Sequence, residues 1–154
     1  METSAEWRST GYAPPQTLLQ QVLAESGIEG VTLRNASAEY AQIALQGPKA
    51  EKILACLTDL PLADLAYYHF CEGEVDGVQM IVSRTGYTGE DGFELYIPVD
   101  GAMVLWNALM DAGSAQGLIP TGLGCRDSLR LEMGYALYGN DLDEEHTPLE
   151  SGLG

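Results

Sequence analysis

The residues best suited to chemistry lie between Ser83 and Pro98, S-R-T-G-Y-T-G-E-D-G-F-E-L-Y-I-P, where Gly86, Gly89 and Gly92 recur at every third position. Glycine at that density admits positive φ and lets backbone come close to a neighbour. Val78–Val82 precedes the loop and Phe93–Ile97 follows it, both rich in the β-branched and aromatic residues that suit a pleated surface. Alternation from Phe93 sends Phe93, Leu95 and Ile97 to one face and Glu94 and Tyr96 to the other. A carboxylate therefore stands at the mouth of a strand, beside the loop. The same residues also read as a solvated hairpin turn around Glu90-Asp91-Gly92, and spacing leaves both readings open. The loop is not a phosphate cradle, because neither G-x-x-x-x-G-K-[ST] nor G-x-G-x-x-G occurs and its acidic pair would repel phosphate.

A second candidate group lies in G-L-G-C-R-D-S-L-R-L-E-M-G, Gly122 to Gly134, which the spacing of Leu123, Arg126, Leu129, Arg130 and Met133 marks as a core helix. Arg126 and Arg130 then share a partly apolar face, where each needs a carboxylate or a ligand, or, for Arg130, a route to solvent. His69 and His146 are far apart, and Cys71 beside His69 is a poor nucleophile, so these read as structural or surface residues without metal-ligand spacing.

The elements that must position these side chains fit one α+β domain of 154 residues. Seven basic against 23 acidic residues, net charge -16, argue against nucleic acid and anionic membrane as partners. Three cysteines without a C-x-x-C pair suggest neither a disulfide framework nor zinc and point to a reducing, cytoplasmic setting. No apolar run has the length of a membrane span.

In order, Met1–Pro15 reads as loose, and Gln16–Glu25 as an amphipathic helix stopped by Ser26-Gly27. Val31–Arg34 and Tyr40–Leu45 read as strands able to pair as a hairpin. Gly47-Pro48 opens a helix with Ala50, Ile53, Leu54 and Leu57 on its apolar face, ending at Leu60-Pro61. Tyr67–Val75 and Val78–Val82 are strands joined by Asp76-Gly77, a strong hairpin signal. Asp100 is placed to cap a helix whose apolar stripe is Val104, Leu105, Ala108, Leu109 and Ala112. The pattern predicts an antiparallel sheet with helices packed on one face, and the acidic tail after Tyr135 ends without a closing element, as expected of a fragment.

The chain resembles the aminomethyltransferases, the T-proteins of the glycine cleavage system. The likeness rests on A-L-Q-G-P-K-A from Ala44, on the Ser83–Pro98 stretch, on Gly122–Gly134, and on L-Y-G-N-D and T-P-L-E-S-G-L-G, in the family's order. It divides the chain into a loose segment, 1–16, and a folate-binding α+β domain, 17–154. The resemblance implies a tetrahydrofolate-dependent transfer, in which an aminomethyl group on the lipoyl arm of a carrier protein (H-protein) gives ammonia and methylenetetrahydrofolate. It implies folate-binding roles for Glu94, Arg126, Tyr87 and Tyr67, with Tyr68 an alternative to Tyr67 that strand alternation decides. A pterin edge offers a ring N–H and an exocyclic amine side by side, a donor pair that one carboxylate can accept. Arg126 would hold Glu94 or meet the ligand. Cys125 stands where the family has alanine, a small change in volume.

No position matches the family's N-terminal catalytic aspartate, and its C-terminal portion has no counterpart, so no catalytic residue is assigned and the chain is expected to be inactive alone. Two other readings are a non-catalytic folate-binding module, as in related maturation factors, and a remnant that self-associates through exposed apolar surface.

Overall fold

The computed structural model describes residues 15–143 and 145–153, and the chain divides into two units, residues 1–38 and 39–154. In the first, helix α1 spans Pro15–Ser26. It stops where the Ser26 hydroxyl donates to the Leu23 carbonyl, 2.8 Å, and Gly27 turns to φ 67°. Residues 31–36 carry no regular structure, which corrects the strand expected over Val31–Arg34. The strand it was to pair with has found a different partner. Of the segment expected to be loose, residues 1–14 lie outside the described residues.

The second unit is built on four antiparallel strands, β1 (Tyr40–Gln46), β2 (Phe70–Val75), β3 (Val78–Ser83) and β4 (Gly92–Pro98), in the order β1-β4-β3-β2. β1 is thus an edge strand paired with β4, with Ala44 opposite Glu94 and Gln42 opposite Tyr96. The predicted alternation along β4 holds: Phe93, Leu95 and Ile97 are fully buried, whereas Glu94 and Tyr96 are half-buried on the opposite face. Burying side chains of this size contributes ~1.5–3 kcal/mol each, so this strand anchors the core. Asp76 and Gly77 join β2 to β3 with φ 49° and 77°, the two positive values a two-residue hairpin turn requires.

Helix α2 (Ala50–Leu54) and helix α3 (Ala102–Gly113) cover the core face of the sheet through Ala50, Ile53, Leu54, Leu105 and Leu109. Pro48 lies in the turn leading into α2 rather than inside it, with the Ala50 N–H bonded to the Gly47 carbonyl at 2.9 Å. Asp100 does not cap α3: it sits in a 3-10 turn, Val99–Gly101, and no side chain caps the helix start. Val104 is exposed, so the buried stripe of α3 is narrower than its apolar residues suggested.

Helix α4 (Leu123–Glu132) is not a core helix, contrary to expectation: Leu123 is exposed and Arg130 is its buried residue. Its C-terminal end packs on the glycine loop instead, because Gly89, at φ 78°, brings backbone directly against the Met133 side chain. β2 begins at Phe70, so Tyr67 and Tyr68 lie in a turn before it, and Tyr68 takes φ 63°. That turn is held by Tyr68 N–H to the Arg84 carbonyl and Arg84 N–H to the His69 carbonyl, 3.0 and 2.9 Å. Strand alternation therefore does not decide which tyrosine faces inward. Among the described residues no helix is long and apolar enough to cross a membrane.

Candidate functional site

The β3–β4 connection, Arg84–Asp91, is the glycine loop. Its glycines answer to protein neighbours. Gly86 and Gly92 both lie against the Gln46 side-chain amide, which donates from Nε2 to the Thr85 carbonyl (3.1 Å) and the Phe93 carbonyl (3.3 Å) and accepts at Oε1 from the Thr88 hydroxyl (3.1 Å). Any side chain at 86 or 92 would displace this amide. The loop is thereby fastened to β1.

Glu94 emerges beside it on the outer face of β4. Gln42 Nε2 donates to Glu94 Oε1 at 2.6 Å, and the Thr85 hydroxyl, itself 3.0 Å from the Ser83 hydroxyl, donates to Glu94 Oε2. Among the described residues each carboxylate oxygen therefore has one protein donor, which leaves one lone-pair direction, and the side chain is only half-buried. Burial, and then the Glu94 charge, raise the pKa of the neighbouring Tyr96 phenol.

Tyr87 closes the other side. Its hydroxyl donates to the Ala136 carbonyl, its ring lies 5.3 Å from that of Tyr135, and the Arg126 guanidinium sits 4.8 Å from its centroid, within cation–π range. Arg126 is exposed, and no ion pair joins it to Glu94 among the described residues. Of the two roles open to Arg126, holding Glu94 or meeting a ligand, the first is filled by Gln42 and Thr85. Arg130, expected to find a carboxylate or a ligand or else to reach solvent, takes the first course: it is 3% exposed and fixed by Asp127 (2.7 Å), Asp141 and the Tyr135 carbonyl (3.1 Å). Since Asp141 also accepts from the Leu137 N–H at 2.9 Å, this pair pins the segment that carries Tyr135 and Ala136 to α4.

Glu94, Tyr87 and Arg126 line one cavity of about 800 Å³ that runs along β1 toward Trp106 and Leu118. Tyr67 does not line it. Tyr67 is half exposed, stacked edge-on against Tyr68 with centroids 4.4 Å apart, and its phenol pKa is raised by the hydrogen bond with Tyr68, then by burial and the nearby Tyr135 and Glu94. It stands near the site rather than in its wall. Gln42, Thr85 and Tyr135 escaped sequence reasoning. Gln42 could have been found only from the β1–β4 pairing, since it is 52 residues from its carboxylate partner. Burial pushes the Cys71 thiol up, away from the thiolate a nucleophile needs.

Residues 10–154 match the family model described as the GCVT N-terminal domain. The chain is 54% identical over 124 residues to an aminomethyltransferase of Desulfitobacterium hafniense, covering 80% of this chain and 34% of that protein. It is 55% identical over 127 residues to one of Bacteroides fragilis, covering 82% and 35%. It spans about a third of the length of the curated relatives it matches. Among solved structures it resembles the glycine cleavage system aminomethyltransferase T of Bartonella henselae, with TM-score 0.64, 39% identity, and 74% of this chain and 30% of that one covered. The heterotetrameric sarcosine oxidase of Corynebacterium sp. U-96 shares the fold at 20% identity and TM-score 0.56, over 71% of this chain and 55% of that one.

Proposed function

The chain belongs to the aminomethyltransferase family defined by the GCVT N-terminal domain, and on that premise we propose that it carries the pterin-binding part of a tetrahydrofolate site. The observation that carries this reading is Glu94: a half-buried carboxylate with one free lone-pair direction on each oxygen, at the wall of a cavity shared with Tyr87 and Arg126. Two parallel acceptor positions suit the paired donors of a pterin edge, a ring N–H and an exocyclic amine. The donor set therefore fits the ligand.

Gln42 and Thr85 hold the carboxylate so that little rotamer freedom is lost on binding. Tyr87, backed by Tyr135, presents a flat apolar surface with a phenol already committed to the Ala136 carbonyl. Arg126 remains available to polar atoms of the ligand beyond the ring. Tyr67 borders the site. In the reaction proposed for the whole protein, tetrahydrofolate accepts a one-carbon unit from an aminomethyl group on the lipoyl arm of a carrier protein, and ammonia leaves. This chain contributes binding and orientation to that reaction and does not turn over alone, in a cytoplasmic setting.

Calorimetric titration with a reduced folate tests this. Glu94→Gln puts an amide N–H₂ where Gln42 or Thr85 donates, so the variant loses about 1–3 kcal/mol, roughly a five- to 150-fold weaker Kd. A folded wild-type chain that releases no heat, or a Glu94→Gln variant that binds as tightly as wild type, would refute the reading.

A further inference from the structure

The neck of the glycine loop is closed by a group that touches no part of the cavity. Arg84 donates from Nε to Asp91 Oδ1 at 2.9 Å and from Nη2 to Asp91 Oδ2 at 2.7 Å, a bidentate pair joining the first and last residues of the loop. Nη2 also reaches Glu51 Oε2 of α2 at 2.7 Å, and Nη1 reaches the Leu62 and Leu65 carbonyls at 2.9 and 3.2 Å. The five N–H donors of this guanidinium thus meet five acceptors on three other stretches of chain. The group is 16% exposed and lies 5.2 Å from the centroid of buried Phe93, so little water competes for these bonds.

Each link leads toward the candidate site. Asp91, at the far end of the loop, accepts from the Gly47 N–H at 2.8 Å, extending the β1–β4 ladder past Gln46. The Arg84 backbone holds the Tyr68–His69 turn, so the same residue fixes Tyr67 and Tyr68. Between the clamped ends, Thr85–Glu90 form a closed span carrying the hydroxyl that holds Glu94 and the ring that stacks on Tyr135.

We infer that Arg84, through Asp91, is a positioning residue that pre-organises this loop for its ligand. The inference deepens the folate reading above and rests on it. A lysine at 84 keeps the charge but offers three donors from one atom and cannot reproduce a planar fork spanning Asp91, Glu51 and two carbonyls. Its loop must then be ordered at the moment of binding, which weakens affinity without removing any ligand contact. Closing the neck with the fork intact avoids that cost.

The test compares wild type, Arg84→Lys, Asp91→Asn and Glu94→Gln at a temperature where each is folded by circular dichroism. Affinity for a reduced folate is measured by calorimetry and amide hydrogen exchange is followed by NMR. Three- to tenfold weaker binding in Arg84→Lys and Asp91→Asn, with at least tenfold faster exchange at Gly86–Gly89 and unchanged exchange within β2, supports positioning. A merely stabilising role would lower the melting temperature and leave the affinity of the folded protein unchanged. Wild-type affinity in both variants overturns the inference and leaves the folate reading intact. Should wild type itself not bind, that reading fails, and exchange alone decides: protection at Gly86–Gly89 that survives both substitutions sinks the clamp as well.

Discussion

Replacing Gly92 by alanine puts a Cβ 2.6 Å from the Leu45 carbonyl oxygen and 2.7 Å from the Gln46 side-chain amide. Ordinary contact begins at 3.4 Å, so about 0.8 Å must be found. The backbone at Gly92 does not have positive φ, and alanine meets no conformational penalty there; the cost is steric. Leu45 cannot swing aside, because its oxygen belongs to a strand paired with β4 on both sides of the contact. The Gln46 amide can move only by giving up its bonds to the Thr85 and Phe93 carbonyls. Overpacking of ~1–3 kcal/mol plus about 1 kcal/mol for the disturbed hydrogen bonds gives roughly 2–4 kcal/mol of destabilisation. With a urea slope of ~1–3 kcal/mol per molar, the unfolding midpoint falls by roughly 0.7–4 M, about 1.5 M at the middle of both ranges. Equilibrium urea titration followed by far-ultraviolet circular dichroism measures this. Gly77→Ala is the matched control, where φ is 77° with open space around the Cβ, so only the left-handed conformation is penalised, by ~1–2 kcal/mol. A Gly92→Ala midpoint within about 0.3 M of wild type would refute the close-approach argument, since 0.3 M at these slopes is under ~1 kcal/mol.

Leu95→Ala removes a fully buried side chain from the centre of the sheet and is expected to destabilise by ~2–5 kcal/mol in the same titration; under ~1 kcal/mol would mean the core is not seated on β4. Acid should unfold the protein in a defined sense. The bidentate Arg84 guanidinium lowers the Asp91 pKa, and the Leu137 N–H, followed by Arg130, lowers that of Asp141. The unfolded chain then takes up these protons first, so the stabilisation is fully present above the ordinary carboxylate pKa of ~3.9 and is lost as pH falls through the depressed folded values. Urea midpoints of Asp91→Asn should therefore vary less steeply with pH below about 4 than those of wild type, and identical slopes would exclude Asp91 from the transition.

Local chemistry was readable from short windows of sequence. Alternating apolar residues require Phe93, Leu95 and Ile97 to share a face, which leaves Glu94 on the other, whatever the strand pairs with. Asp76-Gly77 specifies a tight hairpin because few residues tolerate two consecutive positive φ values. The likeness to aminomethyltransferases was carried by the same contiguous stretches, and the family match spans them. Tertiary structure decided the rest. The Tyr40–Gln46 run reads as a strand in either pairing, and only the assembled sheet sets it beside β4, bringing Gln42 to Glu94. Helical spacing put Arg126 and Arg130 on one face, but burial depends on what lies across from each. Arg130 meets Asp127, Asp141 and the Tyr135 carbonyl, whereas Arg126 meets the ring of Tyr87 at the cavity wall. Periodicity fixes which side chains share a direction; the partners that turn direction into a site come from parts of the chain far away in sequence, and no local window contains them.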